Sequence, residues 1–346
     1  MRIAILVATF YAFSGIDRVA EQQAKEFSLA GHDVAIFTFD AKMPPPPNVT
    51  LQVLGMPKSS LSQRIYRLLF PVDFVKAVKW VPKLKDFDVI YSHQYPMNWL
   101  AYLAKKFYKV RYVYYNHGLA PPWTFSSFSE RLYMKMFISL ANWTIKRADE
   151  AISVSGYLQN ELRRETGLHS QVTHNRIDTN RFRDVIDGSG IREKYNLGNA
   201  PLVLYVGRIS PHKGVHLLIE AFNLIRQKFP DAKLMIVGKH TFGAYSNRLR
   251  KMSDASVIFT GLVSDEELPY YYVACDVYAT CTLWEGFDLP LAEAQACGKP
   301  VVAFDIGPHK EVIDIRGSLV KAGDMKEFGK AVAAILERVK GGKDGQ

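Results

Sequence analysis

The feature that most constrains this chain is an alternation of short apolar stretches with longer helical patterns, run through twice. Strand-like runs occur at Ile3–Thr9, Val34–Phe39, Leu51–Leu54, Val89–Tyr91, Val110–Tyr115 and Ala151–Val154, with an amphipathic helix ending near Gly31 and a long helical region among them. A second series starts with Leu202–Val206 and a helix from Val215, then continues through Leu234–Val237, Val257–Thr260, the run Val273 to Ala279, and Pro300–Ala303. Runs that are apolar throughout belong to strands covered on both faces, and strands alternating with helices give parallel, doubly wound sheets. The fold class expected is α/β, with two domains: residues 1–180, a linker at 181–200 around Asp187-Gly188-Ser189-Gly190, and residues 201–346. A length of 346 residues exceeds one typical core and agrees with that division.

Composition sets limits. With 48% hydrophobic and 23% charged residues the chain reads as an ordinary globular protein. Met1-Arg2 and the apolar run Ile3 to Phe13 lack a small-residue cleavage site and read as a first strand. The apolar stretch Tyr133 to Ile145 is short for a membrane span and carries Lys135. Cys275, Cys281 and Cys297 show neither metal-ligand nor CxxC spacing, which points to a reducing, cytoplasmic setting.

The net charge of +10 is concentrated in residues 1–180, with 22 Lys and Arg against 14 Asp and Glu. Between Lys58 and Lys85 there are seven cations and one acid, with Leu61, Ile65, Leu68, Leu69, Val72, Val75 and Val78 at helical spacing and Phe70, Phe74 and Trp80 interleaved. That pattern suits a core-facing helix, or one lying on an anionic membrane surface. Asp86-Phe87-Asp88 has the spelling of a metal-binding pair but precedes a strand, so it reads as a loop cap.

The chemistry centres on Glu285 and Glu293. Pro290 suits the first turn of a helix, because its fixed φ is already helical and the N–H it lacks needs no partner there. Glu293 then falls in that first turn and Glu285 in the loop before it, and both carboxylates are expected at the carboxyl end of a strand, where open α/β sheets bind ligands. The helix N-terminus favours an anion such as phosphate. Upstream, Gly207-Arg208 closes a strand and Lys213-Gly214 opens a helix, two cations fit to clamp a diphosphate. Cations for phosphate and carboxylates for hydroxyls suit a sugar nucleotide. Two solvated acids at a capped helix and two surface cations are the other reading of the same residues.

Taken in order, Ser14-Gly15 with Arg18, Asn116-His117-Gly118, Ala148-Asp149 before Ser153-Val154-Ser155, Asn175-Arg176-Ile177-Asp178, Gly207-Arg208 with Lys213-Gly214, Gly238, Gly261, and Glu285-x₇-Glu293 with Ala296-Cys297-Gly298-Lys299-Pro300 form a pattern. It resembles that of the retaining glycosyltransferases of family 4. The resemblance implies a GT-B fold, two facing Rossmann-like doubly wound domains, with the donor held mainly by the second. It implies that Arg208 and Lys213 grip the donor diphosphate, that Glu293 binds the ribose and that Glu285 and His117 lie beside the transferred sugar. Arg208, Lys213, Glu285 and His117 are then the catalytic set. Gly15, Gly207, Phe287, Asp288 and Leu289 join Arg208, Lys213 and Glu293 in the donor-binding set. Three positions depart from the family pattern: Ser14 stands where a glycine is usual, as do Arg176 and Asp288.

The activity expected from the resemblance is transfer of a hexose from a UDP- or GDP-linked donor to a hydroxyl of an acceptor glycan or lipid. No metal, other cofactor or nucleic acid is expected to take part, and the location expected is cytoplasmic, peripheral at the inner membrane face. A sugar-nucleotide epimerase of the same fold would instead hydrolyse donor without an acceptor. A degenerate nucleotide-sugar-binding protein would bind without turnover.

Overall fold

The computed structural model describes residues 1–125, 127–240 and 243–343. The chain divides into two compact units, Met1–Pro122 with Ser127–Asn175, and Trp123–Ser126 with Arg176–Gln346.

In the first unit a seven-stranded sheet runs in the order Val49–Val53, Asp33–Thr38, Arg2–Leu6, Val89–Ser92, Arg111–Asn116, Glu150–Ser153, Gln171–Val172, and every neighbouring pair is parallel. In the second, six parallel strands run Val257–Gly261, Lys233–Val237, Leu202–Val206, Val277–Thr280, Val301–Phe304, Ser318–Val320. Each sheet therefore starts at its centre, winds outward one way, returns and winds out the other way. That is the Rossmann-like order, and it leaves a crevice at the carboxyl ends of the first and fourth strands.

Side chains alternate between the two faces of a strand, so each apolar run feeds two cores. In the second unit Val203, Tyr205, Leu234, Ile236, Ala279 and Phe304 join one cluster with the helices Val215–Lys228 and Met325–Lys343. Leu202, Leu204, Met235, Tyr278 and Ala303 join the other, with Leu268–Ala274 and Leu289–Ala296. The first unit repeats this, with Ala4, Leu6, Phe37 and Ile90 on one face and Ile3, Ile5, Ile36 and Val89 on the other.

Three expectations change. Residues 181–200 are not a free linker: Phe182, Ile191 and Leu197 are buried in the second unit's core, and the units divide between Asn175 and Arg176. The run from Val273 is split, because Leu268–Ala274 is helical and the strand begins only at Val277. Asp276 makes the break, its carboxylate accepting from Leu202 N at 2.8 Å and from Arg192 at 2.8 Å. Glu293 lies in the second turn, since the helix starts at Leu289. Asp86 and Asp88 sit at the amino edge of the first sheet, where the Asp88 carboxylate accepts from Arg2 N at 2.7 Å and the Asp86 carbonyl from the Arg2 guanidinium at 3.2 Å.

Candidate functional site

In the second unit two loops leave the carboxyl ends of the adjacent strands Leu202–Val206 and Val277–Thr280. The first turns at Gly207, whose φ is +153°, and runs beside the loop after Lys233–Val237 through Ile209 N to Lys239 O at 2.9 Å. A Cβ on Gly238 would stand 1.9 Å from the Gly207 carbonyl oxygen, so no other residue fits that crossing. Gly214, at φ +63°, is fixed likewise: its Cβ would lie 1.9 Å from the Cys281 carbonyl oxygen. Leu283 N donates to His212 O at 2.8 Å across the same seam. These approaches deliver Lys213 to Glu285, and the two side chains form an ion pair largely out of water. Burial raises the Glu285 carboxyl above its ordinary range, and the Lys213 charge works against that rise. Arg208 is exposed, and among the described residues its guanidinium has no carboxylate partner.

Asp288 shows why glycine would be usual at its position: its φ is +70°, a left-handed conformation that Asp tolerates better than most residues. It caps the helix Leu289–Ala296, Oδ1 accepting from Leu291 N at 3.3 Å. Its Oδ2 meets His309 Nε2 at 3.0 Å, and His309 Nδ1 lies 2.6 Å from the Phe304 carbonyl oxygen. A carbonyl only accepts, so Nδ1 carries a proton; facing a carboxylate, Nε2 carries one too. His309 is thus an imidazolium with no exposure to water. Burial alone would lower its pKa, but the hydrogen bond and charge of Asp288 outweigh burial and raise it. Burial would raise Asp288, and His309 outweighs that and holds the carboxyl below its ordinary range.

The helix end expected to attract phosphate is therefore filled by the chain's own carboxylate. The N-terminus of Val215–Lys228 is engaged too, with His216 N donating to the Tyr245 hydroxyl at 3.2 Å. Glu293 is oriented by Tyr272, whose buried hydroxyl donates to Oε2 at 2.7 Å. Phe287 is buried beside these groups in the chain, and Leu289 opens the helix half-exposed.

In the first unit Gly15 is the first residue of the helix Gly15–Leu29, capped by Ser14, whose hydroxyl accepts from Asp17 N. Asp17 is buried and accepts from Thr9 Oγ1 and Tyr11 N, both at 2.9 Å; burial pushes its carboxyl up to about 6. His117 follows the strand Arg111–Asn116. Its loop is held by Asn116, whose Oδ1 accepts from Gly118 N at 3.0 Å and whose Nδ2 donates to Ser153 Oγ at 3.1 Å. His117 Nε2 lies 2.9 Å from His93 Nδ1.

The structure thus joins Lys213 with Glu285 and sets Arg208 on the same loop as Lys213, while Gly15 and His117 belong to the first unit. Sequence reasoning missed His309, His93, Gln23, Asp17 and Tyr272. Two of them carried a signal: His93 directly follows the fourth strand of its sheet, and His309 begins the helix after Val301–Phe304.

Two family models divide the chain, Glycosyltransferase Family 4 over residues 13–181 and Glycosyl transferases group 1 over residues 189–341. The chain belongs to the group 1 glycosyl transferases. Among curated members of this glycosyltransferase family, the GDP-mannose-dependent alpha-(1-6)-phosphatidylinositol monomannoside mannosyltransferase of Mycolicibacterium smegmatis is 34% identical over 206 residues, 55% of this chain and 53% of the relative. The match spans about half the length of that relative. Among solved structures, Anabaena Alr3699/HepE in complex with UDP and glucose superposes with a TM-score of 0.79 at 23% identity, covering 98% of this chain and 91% of the other. Sucrose-phosphate synthase from Thermosynechococcus elongatus gives 0.81 at 22%, covering 98% and 90%. The glycosyltransferase has the GT-B fold, built from two Rossmann-like units.

Proposed function

We propose that this chain is a retaining glycosyltransferase that moves a hexose from a nucleotide diphosphate sugar to an acceptor hydroxyl. The observation that carries the reading is the Lys213–Glu285 pair, with Arg208 on the loop that carries Lys213 and Glu293 held by Tyr272, at the carboxyl ends of the two central strands of the second unit. When the bond from the sugar's anomeric carbon to the diphosphate oxygen breaks, negative charge grows on the diphosphate. Arg208 and Lys213 stabilise that charge. The acceptor oxygen bonds to the same face of the anomeric carbon, and its proton passes to the departing phosphate. Lys213 turns from Glu285 to phosphate as donor arrives, and Glu285 turns to sugar hydroxyls.

The proposed acceptor is a glycan or a lipid-linked sugar reached at a membrane surface. Leu61, Ile65, Leu69, Val72, Phe74, Val75 and Val78 are exposed along the successive segments Ser60–Leu69, Phe70–Val72 and Phe74–Trp80, while Phe70 and Trp80 turn inward. Arg64, Lys76 and Lys79 share these segments, which supports docking on an anionic bilayer. Arg67 turns inward and is half-buried. Among the described residues no helix is long and apolar enough to cross a membrane.

A thermal-shift panel of nucleotide diphosphates and their sugars tests the reading, because a ligand that binds the native state raises the melting temperature by mass action. GDP-mannose comes first, since the Mycolicibacterium relative depends on it. A rise with one sugar nucleotide, followed by acceptor-dependent transfer, supports the proposal. No rise with any of them, or donor hydrolysis that no acceptor changes, overturns it.

A further inference from the structure

His93 is a buried histidine outside every motif named above. Its Nδ1 is 2.9 Å from His117 Nε2 and its Nε2 is 3.0 Å from Gln23 Oε1, on the helix Gly15–Leu29. The rings of His93, His117 and Tyr115 lie within 25° of parallel, with centroids 4.9 to 5.1 Å apart. Both histidines are neutral: burial drives His93 well below the ordinary value, with His117 adding to the effect, and burial lowers His117 to about 3.

Two neutral imidazoles joined by one hydrogen bond share a single proton between them, so one tautomer dictates the other. With Gln23 presenting its oxygen, His93 must carry its proton on Nε2. Nδ1 is then a bare lone pair and accepts from His117 Nε2–H. His117 is left with a bare Nδ1, an atom with no hydrogen-bond partner among the described residues. Were the Gln23 amide turned to present its NH₂, each proton would move across its ring and His117 Nδ1 would become a donor.

We propose that Gln23, acting through His93, fixes the tautomer of His117 so that His117 Nδ1 accepts a hydrogen bond from a hydroxyl of the ligand. Gln23 and His93 are positioning residues, and the inference rests on reading His117 as a neighbour of the transferred sugar. The oxygen-out orientation of Gln23 suits a sugar partner, whose hydroxyls donate.

The test is ¹⁵N NMR of the imidazole nitrogens in the intact protein, alongside turnover with the donor identified by the thermal-shift panel. In the unaltered protein His93 and His117 should both be Nε2–H tautomers. Gln23→Leu removes the anchoring acceptor and should mix the tautomers of both rings. Turnover should fall roughly five- to tenfold in Gln23→Leu, with little change in KM for the donor, as expected for one lost hydrogen bond. His93→Phe keeps an aromatic ring beside Tyr115 but no nitrogen, and should match Gln23→Leu in turnover. A His117 Nδ1–H in the unaltered protein, or a tautomer that Gln23→Leu leaves unchanged, overturns the proposal. Mixed tautomers with unchanged turnover would uphold the relay and remove His117 from the reaction.

Discussion

Asp288 and His309, 21 residues apart in sequence, form a buried ion pair with 3.0 Å between carboxylate and imidazolium. Both carboxylate oxygens are committed, one to this pair and one to the helix that carries Glu293. Asp288→Gly should therefore leave the ranking of donor sugars unchanged and cost stability, on the order of 3–5 kcal/mol for an abandoned buried charge. The sign with pH is definite. Asp288's depressed pKa contributes stability above about 4 that is lost as pH falls, and His309's raised pKa contributes stability below about 6.5 that is lost as pH rises through its folded value. Urea unfolding of both proteins should show the largest gap between those limits and a smaller one at alkaline pH.

Lys213→Ala and Arg208→Ala should each slow transfer by roughly 10²–10³, about 2.7–4 kcal/mol of transition-state stabilisation. Only the first should also disturb folding. Without Lys213 the Glu285 carboxyl, already raised by burial, holds its proton more firmly, so that variant should lose stability as pH rises. Arg208 is exposed, and its removal should leave the melting temperature unchanged at every pH. Two variants with the same kinetic defect but different melting curves are the expected outcome; wild-type turnover in both would place the diphosphate elsewhere.

Asp17 offers a second pH handle, in the first unit. Its folded pKa of about 6 lies above the ordinary value of 3.8, so the native state keeps the proton longer than the unfolded chain. Stability from this group is full below about 4 and is lost as pH rises to 6. Asp17→Asn should gain on the unaltered protein by up to about 3 kcal/mol between pH 4 and 7, read from chemical denaturation. A constant difference across that range would show that Asp17 ionises freely.

Replacing Phe74 and Val75 by serine should halve sedimentation with anionic vesicles or reduce it further, leaving the melting temperature in place, because both side chains are already in water. Binding by the unaltered protein should fade with salt, as attraction within a Debye length does. Equal sedimentation with neutral and anionic vesicles would rule out the electrostatic part.

Much of this architecture is written in apolar periodicity, since a strand buried on both faces must be apolar at successive positions, as Val203 to Tyr205 and Ile3 to Leu6 are. The strands Gln171–Val172 and Ser318–Val320 went unread because two or three residues at a sheet edge carry no period. The segment from Leu61 to Val78 was ambiguous for another reason: helical spacing shows that a face is apolar, not whether protein covers it. The placing of Lys213 and Glu285 at the carboxyl ends of adjacent strands was legible, because each closely follows an apolar strand run. The partners Asp288–His309 and Gln23–His93–His117 were not legible, because each depends on which elements the sheet order brings together, and no local pattern encodes that.

The contact between Gly207 and Gly238 makes two loop mouths thirty-one residues apart into a single mechanical part. Neither can be rebuilt alone, since any side chain at 238 meets the backbone at 207. Chimeras of homologues joined between these positions should survive only when both glycines are kept, and loop-length libraries at either mouth should return mostly unfolded clones. Under the proposed function, retuning what this unit accepts would be left to side chains on that frame, at Arg208, at Lys213 and along Leu283 to Phe287. An engineer would vary those positions and leave the backbone beneath them alone.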